Sequence, residues 1–295
     1  MHEPAAGPAI PARTIKTRRI RFAYAGGSVD RHFMGGDPAM SHVLAVLSSF
    51  FPEGEDFFVR SVRNYRDRVT DPELKKQVAG FIGQEAIHGR EHRELNRELQ
   101  SMGYPTWVID RLTKVGLWGL RLLPKPHQLA VTAALEHYTA TLAELLMGEE
   151  RARERLTDPE IRNLLLWHAM EESEHKSVAF DVFQAVNGKR RIRSGVMHAA
   201  TVGFLGAIVL GTAGSLLLDR HTYRHPVRTA RSVGAVRRSI FLERATADRI
   251  YDYHRRDFHP DDHDATALLE QWRTELFGAE GTLADRLRTG AAATA

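Results

Sequence analysis

Two Glu-x-x-His motifs, Glu85 to His88 in "FIGQEAIHGREH" and Glu172 to His175 in "WHAMEESEHK", are set among apolar residues of helical period. An ionisable group on an otherwise apolar face is costly to bury without a partner. The fold must therefore turn these faces to water, or toward each other and a cation. At about 100° per residue, Glu85, His88 and His92 fall within an arc of about 60°, and so do His168, Glu172 and His175. Each helix thus presents its candidate ligands on one face.

Two lone carboxylates complete a pattern. Glu136 lies among small and apolar residues in "TAALEHYTA", and Glu55 lies between aromatics in "FPEGEDFF". The neighbouring Glu53 and the Pro-Glu-Gly bend leave the phase of Glu55 open. Along the chain the order is Glu, Glu-x-x-His, Glu, Glu-x-x-His, the arrangement of ferritin-like di-metal carboxylate bundles. Four carboxylates bring two divalent ions close to neutrality and can bridge them, which offsets the repulsion between the ions. The chain has no cysteine, so oxygen and imidazole donors must hold any metal; two iron ions suit them, with manganese or zinc as alternatives. The candidate ligands are Glu55, Glu85, His88, Glu136, His168, Glu172 and His175. His92 is read as a partner orienting a ligand, with a fourth histidine ligand and a stray polar residue one turn beyond the site as the alternatives. Glu171 stays between that role and a solvated one, with solvation favoured, and Glu174 and Lys176 are expected to meet water.

Helical spacing extends over most of the chain, and the expected class is all-α: a ferritin-like four-helix bundle with additional C-terminal helices, one long and apolar. The four helices are expected over about 38–68 with a bend at Pro52, over 70–103, over 126–149 and over 158–186. A long connection, 104–126, would form the crossover, and residues 18–24 could pair as a minor strand. Residues 1–36 read as an N-terminal arm with a disordered tip over 1–12, residues 37–188 as the bundle, and residues 189–295 as an apolar segment and helical extension with a frayed end. His254, His259 and His263 in "YHRRDFHPDDHD" read as a polar loop packed over the bundle.

The stretch from 195 to 218 carries no formal charge. As a helix it would be about 36 Å long, enough to cross a bilayer. Basic residues flank it on both sides, so the positive-inside rule assigns no orientation. Membrane association, spanning or monotopic, is preferred over a buried core helix. The net charge of +4 comes without an aromatic-interleaved basic stripe, so nucleic acid is not an expected partner. No secretory leader is visible at the start; the expected location is the cytoplasm, at the inner face of a membrane, with a homodimer allowed.

The segments "FPEGEDFFVRSVRNY", "FIGQEAIHGREHRELN", "ALEHYTA", "WHAMEESEHKSVAFDV" and "DYHRRDFHPDDHD" resemble a bacterial family labelled predicted metal-dependent hydrolases, over roughly residues 15–275. That resemblance implies a di-metal hydrolase of an ester or amide. The spacing in the fourth helix is also similar to that of p-aminobenzoate N-oxygenase, which implies His168 as a third histidine ligand. From the ligand set, the leading expectation is an O2-dependent di-iron oxidase or oxygenase acting on an apolar or lipid-like small molecule. Hydrolysis is the alternative, and non-catalytic metal binding is a third reading.

Overall fold

Three of the helices that carry the candidate ligands begin with the same two residues. Asp37-Pro38, Asp71-Pro72 and Asp158-Pro159 open α1 (Pro38–Arg63), α2 (Pro72–Ser101) and, further on, Pro159–His175. In each, the aspartate side chain accepts a hydrogen bond from a first-turn amide, and proline occupies a position whose missing N–H goes unused. Each cap is worth about 1 kcal/mol. Gly103, at φ +95°, takes a left-handed conformation beyond the end of α2 that other residues rarely adopt.

The computed structural model describes residues 10, 11, 13–24 and 29–287. After α2 come α3 (Thr106–Leu120), α4 (Lys125–Gly148), the single turn α5 (Glu150–Arg153), α6 (Pro159–His175), α7 (Val178–Val186) and α8 (Arg190–Leu218). The shorter α9 (Arg220–Arg224), α10 (Pro226–Val236), α11 (Arg244–Tyr251) and α12 (Thr266–Phe277) follow. The fold is all-α, with one long apolar helix, α8. Most of the expected disordered tip and the end of the expected frayed tail, 288–295, lie outside the described residues.

Three local expectations change. The crossover is largely helical, because "TWVIDRLTKVGLWGL" forms α3 against α1 and α2. The fourth helix is interrupted at Lys176 and Ser177, dividing it into α6 and α7. Residues 18–24 run without strand pairing, and the only β-bridge among the described residues joins Met34 and Leu156. The first helix, α1, runs through Pro52 as one element. Proline removes an amide that would have bonded the carbonyl four residues earlier, and here Asn96 Nδ2 of α2 donates to that Ser48 carbonyl at 3.0 Å.

The four helices α1, α2, α4 and α6 surround the ligand positions, with α1 packed on α2 and α4 on α6. The arm and the C-terminal region join the same hydrophobic cores. Ile20 and Phe22 of the arm pack with Trp167, and Trp272 and Leu276 of α12 belong to that cluster. Met197 of α8, Tyr253 and Phe258 belong to the other. The arm lies close along α2, where a Cβ on Gly80 would stand 2.4 Å from the Ile15 carbonyl oxygen and one on Gly83 would stand 2.1 Å from Thr17 Oγ1.

Candidate metal centre

The structure brings all seven candidate ligands together in the interior, none more than 4% exposed. Their donor atoms form three overlapping groups: Glu55, His88 and His168; Glu85, His88 and Glu172; and Glu85, Glu136 and His175. Within each group the atoms lie within 4.8 Å of one another. Glu85 and His88 each belong to two groups, so the cluster is continuous. Room for Glu55 comes from Gly89, where a Cβ would stand 2.9 Å from Glu55 Oε2.

The hydrogen bonds around the cluster decide which nitrogen of each imidazole faces inward. Ser48 Oγ donates to Asn96 Oδ1 at 2.7 Å and so accepts from His92 Nδ1 at 2.9 Å. His92 Nε2 is then left to accept from His168 Nδ1 at 2.8 Å. This leaves the lone pair of His168 Nε2 facing Glu172 and Glu55, whose oxygens lie 2.8 and 3.7 Å away. His92 therefore touches a candidate ligand from outside the cluster.

The other two imidazoles are held in the same way. His88 Nε2 donates to Glu171 Oε2 at 3.1 Å, so Nδ1 faces Glu172 and Glu85. His175 Nδ1 donates to Gln84 Oε1 at 2.9 Å, so Nε2 faces Glu85 at 3.1 Å and Glu136 at 3.3 Å. Gln84 is fixed in that sense because its amide nitrogen donates to Glu174 and to the Lys16 carbonyl. An outward N–H held by an acceptor and an inward lone pair is how metal-ligating histidines are oriented.

These contacts correct the expected exposure of Glu174 and Lys176 and, for Glu171, replace the favoured solvated reading with the alternative of orienting a ligand. Glu171, Glu174 and Lys176 are buried. The guanidinium of Arg18 donates to Glu171 and, through both terminal nitrogens, to Glu174, each bond 2.8 Å long. Arg273 of α12 adds another 2.8 Å bond to Glu174, and Lys176 pairs with Glu144 of α4 at 2.8 Å. Helical spacing could not reveal this, because the partners that permit burial are distant in sequence. Arg18 and Gln84 had no ligand-like signal: one sits in a basic run, the other beside a more conspicuous glutamate.

Among themselves, the cluster's groups compete for protons. Burial, reinforced by Glu85, pushes Glu55 well above the usual carboxylate range. Burial and neighbouring carboxylates push Glu136 up to about 8. Burial opposes charge on His88, yet its bonds to Glu171 and Glu172 carry it to about 10. For Glu172, burial acts upward, but the neighbouring imidazoles, those of His175 and His88 carrying charge, outweigh it and hold the carboxyl well below its ordinary value. His168 is lowered to about 4 by burial and by the charge of His88.

The donor set fits two divalent cations. Both oxygens of Glu55, Glu85 and Glu136, together with His88 Nδ1 and His175 Nε2, are buried without a hydrogen bond, an arrangement that costs stability unless a cation is coordinated. Four carboxylates balance the charge of two such ions. No thiol is present, which favours iron, manganese or zinc.

Beside the centre is an apolar cavity of about 760 Å³ between α1, α4, α6, α8 and α10. His168 and Glu172 form part of its wall, while Phe51, Leu165, Phe204 and Ile208 contribute hydrocarbon surface. Phe51 also packs against His92 and His168, with ring centroids 4.5 and 4.7 Å apart. His254, His259 and His263 lie elsewhere. His259 Nε2 pairs with Asp181 at 2.9 Å, and the Lys176 ammonium donates to the His263 carbonyl at 2.5 Å, so this segment packs over α4 and α7.

Fold and cluster together define an all-α protein with a buried histidine–carboxylate site capable of holding metal ions. More narrowly, the chain belongs to the family described as predicted metal-dependent hydrolase, whose model matches residues 16–264. No match was found among curated proteins or among solved structures.

Proposed function

We propose that the protein is a di-metal enzyme that uses O2 to oxidise a long apolar molecule. The observation carrying this reading is the apolar cavity with two ligand positions, His168 and Glu172, in its wall. Two ferrous ions held by the seven ligands would supply two of the four electrons that full reduction of O2 takes, the substrate the other two, and an external electron donor would return the ions to the ferrous state for the next turnover. The chain's own residues bind and orient. The cavity wall strips water from a hydrocarbon substrate and presents a carbon to the centre, while the chain Ser48, His92, His168 keeps the imidazole lone pair directed inward.

Hydrolysis of an ester or amide is the second reading, and the family's description favours it. Such a reaction needs water at the centre and a proton donor for the leaving group. Among the described residues lining the cavity, the titratable side chains are Tyr138, His168, Glu172 and Arg237. Tyr138 already donates to Thr201 Oγ1 at 2.8 Å, and two of the others are candidate ligands. The cavity's chemistry therefore supports oxidation better than acyl transfer.

The test begins with anaerobic loading and a metal count, followed by exposure to O2. Two irons per chain, O2 uptake and a transient visible absorption are expected. A zinc-loaded protein that cleaves apolar esters, with an iron form inert to O2, would establish hydrolysis instead. Two metals bound with neither activity would leave non-catalytic metal binding.

A further inference from the structure

Helix α8 has the length and hydropathy of a membrane span, yet only 6% of its most apolar window is buried in the protein. It is nonetheless fastened to the bundle along its length. Arg193 is buried against Phe180, Tyr253 and Phe258 and donates to the Phe258 carbonyl. Met197 is fully buried, Thr201 accepts from Tyr138, and Gly211 sits so close to Val46 that an added Cβ would approach it to 2.9 Å. Ser215 Oγ lies 2.7 Å from His42 Nδ1, and His42 Nε2 lies 3.2 Å from Asp219. This Ser-His-Asp trio is itself buried, 1%, 0% and 3% exposed; its hydroxyl has no access for a substrate, and the trio serves as an anchor. Crossing a bilayer would strip α8 of the contacts that Met197, Thr201, Gly211 and Ser215 make with the bundle and leave the His42 and Tyr138 partners unpaired.

The opposite side of α8 is open. Val202 and Leu210 are 76% and 74% exposed. Helix α3 is its neighbour, since Gly211 of α8 lies beside Ile109 of α3. Outward from α3 project Trp107 and Trp118, 59% and 61% exposed, together with Val115. The cavity opens on the same helix: its lining includes the exposed Val209 and Leu217 of α8, Val233 of α10, and Arg237.

We propose that the apolar face of α3 and α8 docks, without spanning, on an anionic lipid surface, so that the cavity mouth opens toward the lipid. Charge selects this occupant over a second copy of the chain. From residue 189 to 238 there are nine exposed lysines and arginines besides the buried Arg193, and one acidic residue, Asp219, which is buried and paired with Arg31. Two identical basic surroundings would repel each other, whereas anionic headgroups complement them. Exposed tryptophans and a one-sided apolar helix with basic ends are the features that seat a protein in the interfacial layer. The significance of the mouth rests on reading the cavity as the substrate's approach; the docking does not.

The four tryptophans supply the probe. Trp167 and Trp272 are buried, so a change in emission on lipid addition reports Trp107 and Trp118. The full-length protein is titrated with phosphatidylglycerol vesicles and with phosphatidylcholine vesicles, with co-sedimentation in parallel. A blue shift and pelleting with the anionic vesicles, weakened about thirtyfold by Arg237→Ala with Arg238→Ala and lost in Val202→Ser with Leu210→Ser, are expected. Equal binding to both lipids, or no blue shift with phosphatidylglycerol, overturns the proposal. So does a lipid-free dimer, seen by sedimentation velocity, that already shields both tryptophans. Metal content measured on the same samples without lipid keeps the two readings separate, since a protein that loads no metal but binds vesicles refutes only the enzyme.

Discussion

Arg18 holds Glu174 through two parallel 2.8 Å hydrogen bonds, tying the N-terminal arm to the helix that carries His168, Glu172 and His175. The same guanidinium reaches Glu171, which holds His88, and Glu174 accepts from Gln84, which holds His175. One arginine, outside the bundle in sequence, thus orients an imidazole on each of two helices.

Replacing Arg18 with Ala would leave two buried carboxylates without their main counter-charge. Breaking a buried pair from one side costs about 3–5 kcal/mol, so a large fall in thermal midpoint is expected. Metal affinity should fall about 10- to 100-fold through the loosened imidazoles. Arg18→Lys keeps the charge but loses the fork and should recover part of the stability. Calorimetry and metal titration check both; unchanged metal affinity in a folded Arg18→Ala protein would refute the orienting role.

Gly89→Ala tests the approach of Glu55. The new methyl would meet Glu55 Oε2 at 2.9 Å, and that carboxylate is the flexible end of a side chain. The fold should therefore survive with a stability change under about 1.5 kcal/mol, while Glu55 is displaced. We expect near-normal unfolding and a weakened metal position beside His88 and His168, read by metal titration.

Metal stoichiometry should separate the two ends of the cluster. Glu55 groups with His88 and His168, and Glu136 groups with Glu85 and His175. Glu55→Ala and Glu136→Ala should each weaken one metal selectively. Glu172→Ala should weaken both, since its two oxygens face His168 and His88 on one side and His175 on the other. Elemental analysis after dialysis against a weak chelator distinguishes the three, and an unchanged count in Glu172→Ala would remove that residue from the ligand set.

Loading should release protons. Metal binds the deprotonated donors. In the metal-free cluster Glu136 keeps its proton up to about pH 8 and His88 up to about pH 10. At pH 7 both are protonated and must give up a proton to bind metal, so affinity rises with pH through this range and falls as the solution is acidified. Titration calorimetry in two buffers of different ionisation enthalpy measures the release; a heat independent of buffer would contradict it.

Much of the candidate centre was legible because helical spacing is a local property. Glu85 with His88, and His168 with Glu172 and His175, share a face in any regular helix, and the three Asp-Pro starts mark where their helices begin. Glu55 was harder, since a proline three residues before it leaves its helical phase open; Asn96 accommodates that proline from another helix. The burial of Glu171, Glu174 and Lys176 was not legible. A charged residue is buried or solvated according to what meets it, and Arg18, Arg273 and Glu144 come from remote segments.

By itself, the sequence determined the helical class, the faces on which histidines and glutamates cluster, and the presence of one long uncharged segment. All follow from periodicity and composition within a single element. Only the tertiary structure decided which imidazole nitrogen faces inward, that an apolar cavity reaches His168 and Glu172, and that α8 is pinned to the bundle while its outer side remains bare. These depend on contacts between elements far apart in the chain, and a helix carries no record of what will be packed against it.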